Sequence, residues 1–134
     1  MIKPLRIQVR FADCDMMGHV NNAIYLQYFE LARMHYFNQL VGKQWNWQKE
    51  GIVLKVNHIE YHAPLLLEDA PEVYVFLESI GKKSFILAYE LRVGEQLKTS
   101  GSSVIVCFDY LKQQTVEVYP AMKEALQKLK KAEA

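Results

Sequence analysis

The run DCDMMGHVNN, Asp13 to Asn22, packs two carboxylates, a thiol, an imidazole and two carboxamides directly ahead of the very apolar AIYLQYFELARMHYF. A carboxylate in such a loop acts as nucleophile or as general base for water. A cysteine thiolate activated by a histidine is the other nucleophile these residue types offer, through Cys14 and His19. If the chain is extended here, Asp13 and Asp15 project to one side and Cys14 to the other, so Cys14 and Asp15 do not share a site. Each residue also has a plainer reading. Asp13 and Asp15 can be turn acids that satisfy nearby N–H groups. Cys14 can be a small buried hydrophobe, and His19 can simply fix the loop. Cys107, within the apolar VIVCF, reads as core.

The elements that must position this loop follow from hydrophobic periodicity. Leu5–Phe11 alternates Leu5, Ile7, Val9 and Phe11 against Arg6, Gln8 and Arg10, the period of a half-buried strand. Asp13–Asn21 is the loop, with Gly18 its flexible point. A helix is expected from about Asn22 to Val41, ended by Gly42 at C′. Its apolar positions nearly encircle it and leave a narrow polar strip near Gln27, Glu30 and Arg33, so most of its sides should be covered. Trp45 and Trp47 fall in a connection. Strands are expected at about 52–62, 72–80, 83–93 and 97–110, punctuated by Pro64, Pro71, Gly81 and Gly94. Lys112–Thr115 reads as a turn and Val116–Val118 as a brief last strand. Pro120 opens a terminal helix with Met122, Ala125, Leu126 and Leu129 on one stripe and lysines on the other. The expectation is an α+β fold: an antiparallel sheet of about five strands wrapped around one long central helix, with a short C-terminal helix, in a single domain spanning 1–134.

Composition narrows the partners. The chain has 134 residues, 51% of them hydrophobic and 23% charged, with a formal net charge of +1. That balance suits an ordinary globular domain and gives no overall field toward nucleic acid or an anionic membrane. No stretch approaches a membrane span, and MIKPLRIQVRF lacks the apolar core of a signal peptide. With two cysteines and no paired spacing, a cytoplasmic setting is expected. No metal site is expected either. His58 and His62 would lie about 13 Å apart on a strand, too far to share one ion. His35 reads as a satisfied helix histidine.

RFADCDMMGHVNNAIYLQYFELAR, Arg10–Arg33, closely resembles the signature of hotdog-fold acyl-CoA thioesterases, in the 4-hydroxybenzoyl-CoA thioesterase-like branch that includes bacterial long-chain and short-chain enzymes. The likeness continues through NHIEYHAPLLLEDAPEVYVFLESIGKKSF to VIVCFDY, in the same order. It implies a homodimer or homotetramer with active sites at the subunit interface, an acyl-CoA substrate and no cofactor. It places the catalytic acid, nucleophile or general base, at Asp15. It places the amide that polarises the thioester carbonyl on the main chain of Asn22, where a helix begins and its first N–H groups lack partners. A histidine at the offset of His19 accompanies the acid in related acyl-ACP thioesterases, although those relatives often carry Asn where this chain has Met17. The resemblance further implies that Lys82 and Lys83 of GKKSF meet the phosphates of coenzyme A. Ser84 then bonds ligand or backbone, and the acyl tail lies near Tyr25, Tyr28 or Phe29. The plainer reading of the lysines is a hairpin turn facing water. Glu30 and Arg33 match the family's E-x-A-R as structural polar contacts. An acyl-ACP substrate, or a non-catalytic acyl-CoA or acyl-carrier binding module, are the alternatives. A hotdog dehydratase is disfavoured because no matching His and Glu pair is present.

Overall fold

The computed structural model describes residues 1–131. One sheet holds β1 (Leu5–Arg6), β2 (Gly51–Tyr61), β3 (Glu72–Ile80), β4 (Ser84–Val93) and β5 (Gln96–Asp109) in the order β1-β3-β4-β5-β2, with β6 (Gln114–Thr115) paired to β5. Every pairing is antiparallel. The long helix α1 (Ile24–Val41) packs against the inward face, and the short α2 (Pro120–Leu126) follows the sheet. This is the expected hotdog arrangement.

Period-two alternation explains why the sheet accepts the helix. Val73, Val75 and Leu77 of β3, Phe85, Leu87, Tyr89 and Leu91 of β4, and Ile105 and Cys107 of β5 are all buried toward α1. From the helix, Tyr25, Tyr28, Phe29, Ala32, Tyr36 and Phe37 are buried. Phe29 stacks on Tyr89 with ring centroids 4.6 Å apart, and Phe37 meets Phe85 edge-on at 6.2 Å. Each such side chain contributes about 1.5–3 kcal/mol on burial. Gly101 lets the helix come this close: a Cβ there would sit 3.0 Å from the Phe29 ring and 2.6 Å from the His58 carbonyl oxygen.

Four expectations change. The first strand pairs only at Leu5–Arg6; Ile7 and Val9 are buried beyond it, but the chain then turns through a 3₁₀ segment, Phe11–Asp13, and leaves Phe11 exposed. The cause is Asp13, whose carboxylate accepts the Arg10 main-chain N–H at 3.0 Å and draws the backbone into a turn. The helix starts at Ile24, not Asn22. The Asn21 carbonyl accepts from Ile24 N–H at 2.9 Å and Asn21 Oδ1 from Ala23 N–H at 3.0 Å, so residues 21–24 form a turn before the helix. Arg33 is buried rather than part of a polar strip: its Nη1 donates to the Tyr89 hydroxyl at 3.2 Å, while Leu31 is 57% exposed. The last strand falls on Gln114–Thr115 rather than Val116–Val118. Val116 N–H donates to the Cys107 carbonyl and Val118 N–H to the Lys82 carbonyl, so the chain crosses the sheet's end instead of extending its edge.

β2 is an outer strand of the sheet and differs from its neighbours. Val53, Leu54 and Val56, opposite Val106, Ile105 and Val104 on β5, remain 39–47% exposed, with a register shift between Leu54 and Val56. Apolar side chains therefore crowd a free edge.

Candidate active site

The polar loop is tied to the fold by its first acid. Asp13 is 1% exposed. Its Oδ2 accepts from the Tyr28 hydroxyl at 2.6 Å, and its Oδ1 accepts from Arg10 Nη2 at 2.9 Å and Nε at 3.2 Å. Burial alone pushes the Asp13 carboxyl up, but the hydrogen bonds from Tyr28 and from the Arg10 amide and guanidinium outweigh it and hold the group below its ordinary value. Burial and the Asp13 carboxylate push the Tyr28 phenol well up, so it stays a donor. The Asp13 carbonyl then accepts from Asn21 N–H at 2.8 Å, pinning the far end of the loop. Asp13 is thus the turn acid that the plainer reading described.

Asp15 is held in a different way. Its N–H donates to the His19 carbonyl at 2.8 Å, and its Oδ1 accepts from Met17 N–H at 2.9 Å and His19 N–H at 3.3 Å. Its second oxygen accepts no hydrogen bond among the described residues, and the side chain is exposed. Gly18 closes this small turn at φ 76°, a conformation that favours glycine. His19 braces Asp15 through its main chain, and Val20 N–H donates to the Leu65 carbonyl at 2.8 Å. Burial, then the neighbouring carboxylates Asp13, Asp15 and Glu68, push the Cys14 thiol up, which disfavours its thiolate. Burial pushes the Cys107 thiol up to about 11 in the core.

Asp15, His19, Asn22, Tyr25, Tyr61 and His62 line one open cavity of about 250 Å³. Among the described residues, no acceptor takes the Asn22 N–H. The Asn22 carbonyl accepts from the Tyr61 hydroxyl at 2.8 Å, and Leu65 N–H donates to the Tyr25 hydroxyl at 3.1 Å. His62 Nε2 lies 2.8 Å from the Ser100 hydroxyl. Of the three residues expected near an acyl tail, only Tyr25 lines this cavity. Tyr28 is committed to Asp13, and Phe29 to Tyr89. A larger groove, about 1040 Å³, lies between the N-terminal segment and α1 and contains Asp13 but not Asp15. Tyr61 had no signal in the sequence beyond its place in a strand; only its hydrogen bond to Asn22 marks it.

Lys82 and Lys83 sit in the turn between β3 and β4, and Ser84 begins β4. Within one chain they are not near Asp15. Ser84 lies opposite Val106 of β5, whereas Tyr61 lies opposite Thr99, and the strand between those levels spans about 23 Å. Lys82 Nζ lies 3.7 Å from Glu117 Oε1 in an exposed pair, which is weak and leaves the cation available to an anion. Among the described residues, no three His, Cys, Asp or Glu side chains converge as a metal's ligands would. None of their helices is long and apolar enough to cross a membrane.

A family model described as the Thioesterase-like superfamily matches residues 9–126. The long-chain acyl-CoA thioesterase FadM of Escherichia coli (strain K12) is 28% identical over 129 residues, 94% of this chain and 98% of that protein. The uncharacterized protein YsmA of Bacillus subtilis (strain 168) is 31% identical over 93 residues; the match covers 69% of this chain and 60% of that protein, so the chain spans less than two-thirds of that relative. A solved thioesterase from Thermus thermophilus, complexed with coenzyme A and Zn, aligns with a TM-score of 0.84 at 30% identity over 95% of this chain and 92% of that one.

Proposed function

The chain belongs to the thioesterase-like superfamily, and we propose that it hydrolyses acyl-CoA thioesters to the free acid and coenzyme A, using Asp15 as the reacting carboxylate and the Asn22 amide to polarise the carbonyl. The observation that carries this reading is the shared cavity: Asp15, with one uncommitted carboxylate oxygen, and Asn22, whose main-chain N–H has no acceptor among the described residues, line the same small space. A thioester carbonyl set between them would have its oxygen at the Asn22 N–H and its carbon toward Asp15. As a nucleophile, Asp15 attacks the carbon and expels the CoA thiolate, and water then cleaves the resulting anhydride. As a general base, it takes a proton from the water that attacks. In both routes negative charge grows on the carbonyl oxygen, which is where a fixed N–H donor lowers the barrier. His19 supports the acid through its main-chain bonds to Asp15.

Lysines distant within one subunit fit this reading if the active unit is a dimer. The exposed apolar residues on β2 suit pairing with a second copy. A two-fold, antiparallel pairing of β2 with itself sets the Gly51 end of one strand against the Tyr61 end of the other. Lys82 and Lys83 of the partner subunit then approach the Asp15 cavity, where they and Ser84 can meet the CoA phosphates. A tetramer would pack two such dimers, and the cytoplasm is the setting we assign.

The test is thiol release by the purified protein from a panel of acyl-CoAs that differ in chain length and include an aromatic acyl group. Hydrolysis of any member supports the reading, and the panel names the acyl class. Release from acyl-ACP alone would move the substrate to a protein carrier. Tight acyl-CoA binding with no turnover would make the protein a binding module. Single-turnover hydrolysis in H₂¹⁸O, paired with hydroxylamine trapping, separates the two roles: label entering the Asp15 carboxylate or a trapped acyl–Asp15 anhydride marks the nucleophile, and label only in the acid with nothing trapped marks the base.

A further inference from the structure

The Asn22 N–H belongs to the peptide plane shared with the Asn21 carbonyl. That carbonyl accepts from Ile24 N–H at 2.9 Å, and because a trans peptide sets its N–H opposite its carbonyl, this bond restrains the plane from its carbonyl edge alone. The next plane, between Asn22 and Ala23, is held at both edges. Ala23 N–H donates to Asn21 Oδ1 at 3.0 Å, and the Asn22 carbonyl accepts from the Tyr61 hydroxyl at 2.8 Å. The first of these ties, and the one between Ala23 and Asn21, are local to residues 21–24. The Tyr61 bond is the one that reaches across the fold, from the last residue of β2 to the turn that carries the amide.

We propose that Tyr61 is a positioning residue for thioester hydrolysis: by holding the Asn22 carbonyl it sets the backbone angle at Asn22 and so aims the N–H at the substrate oxygen. This rests on the reading that the Asn22 amide polarises the carbonyl. The Tyr61 hydroxyl is itself well placed to hold a position. Its ring packs edge-on against Tyr25 at 5.1 Å between centroids, and the buried Tyr25 is anchored in turn by the Leu65 N–H. Burial pushes the Tyr61 phenol above its ordinary value, so it stays protonated as a donor through neutral pH. Tyr61 and Asn22 line the same cavity as Asp15. Without the hydroxyl, two local bonds remain to hold a turn that lies outside the helical ladder. The loss should fall on the transition state, where the oxygen carries charge, more than on substrate binding.

A purely structural hydroxyl would tie β2 to α1 and affect only stability. Two readouts separate the cases: the kcat and KM of Tyr61→Phe, and the infrared carbonyl stretch of a ¹³C-labelled acyl-CoA bound to Asp15→Asn with and without Tyr61→Phe. Phenylalanine keeps the ring packing on Tyr25, and thermal melting checks the fold. The expected result is a kcat lower by roughly tenfold to a hundredfold, short of the ~10²–10³ lost when an oxyanion donor is removed outright, with KM within about threefold. The bound carbonyl, displaced to lower frequency in Asp15→Asn, should move back toward the free thioester in the double variant. A wild-type kcat in Tyr61→Phe, or a displacement that persists in the double variant, overturns the role of Tyr61 alone. No displacement in Asp15→Asn itself overturns the Asn22 reading and takes this proposal with it.

Discussion

Tyr28→Phe removes one oxygen and should be felt both in stability and at the active site. The Tyr28 hydroxyl donates to Asp13 Oδ2 at 2.6 Å, in a place where Tyr28 is 3% and Asp13 1% exposed. A hydrogen bond to a charged group contributes about 1.5–3 kcal/mol, and phenylalanine leaves the oxygen without that donor while preserving the ring's packing. For a domain of this length each kcal/mol moves Tm by about 3–5 °C, so the expected drop is roughly 5–15 °C at pH 7. The pH dependence identifies the cause. Asp13 titrates below its ordinary value in the folded chain, so its stabilisation is fully present above about pH 4 and disappears as pH falls through the folded-state value. Tyr28→Phe weakens that depression. The difference between the two proteins should therefore be full at neutral pH and shrink on acidification below about pH 4. The assay is calorimetric melting of both proteins from pH 7 to pH 3, with Asp13→Asn completing a double-mutant cycle. A Tm within about 2 °C of wild type at pH 7, or a gap as large at pH 3 as at pH 7, refutes the reasoning that an ionised Asp13 anchors this loop.

Two further outcomes bear on the assembly and the carrier. Lys82→Ala with Lys83→Ala should raise KM for acyl-CoA about tenfold or more and leave kcat near wild type, because lysines in the proposed phosphate-binding role would act in ground and transition state alike; steady-state kinetics at low and moderate salt measure this. Val56→Lys should place a charge on the exposed apolar edge of β2 and shift the protein toward monomer in sedimentation velocity, with activity falling in parallel. A monomeric variant with full activity would contradict a site completed by the second subunit.

The central strands and the long helix were legible because their physics is local. β3, β4 and β5 alternate buried and half-buried residues with little interruption, and the glycines and prolines mark where they turn. The grouping of the loop's polar residues was legible as well: Asp15, His19 and Asn22 line one cavity. What escaped was set either by contacts far apart in sequence or by short side-chain-to-backbone bonds that hydrophobic periodicity does not register. Arg33 reads as surface by its charge, yet it is buried because Tyr89, on a strand distant in sequence, offers an oxygen. The apolar pattern of Leu5–Phe11 promised a full strand, but the Asp13 carboxylate caught the Arg10 amide and bent the chain first. Asn22 looked like the helix start, while Asn21 made a turn that delays the helix to Ile24. The distance between Lys83 and Asp15 follows from strand register, which no single segment contains.

Whether Asp15 performs the chemistry is decided by single-turnover hydrolysis of a good acyl-CoA by Asp15→Asn beside the wild type, with acyl-CoA affinity and Tm measured on the same samples. Asparagine keeps an oxygen to accept the Met17 and His19 N–H bonds, so the turn should survive. A reacting carboxylate at Asp15 gives unchanged melting, affinity within a few-fold and a rate lower by about three orders of magnitude or more in Asp15→Asn. An Asp15→Asn protein that folds, binds and hydrolyses at the wild-type rate would contradict it.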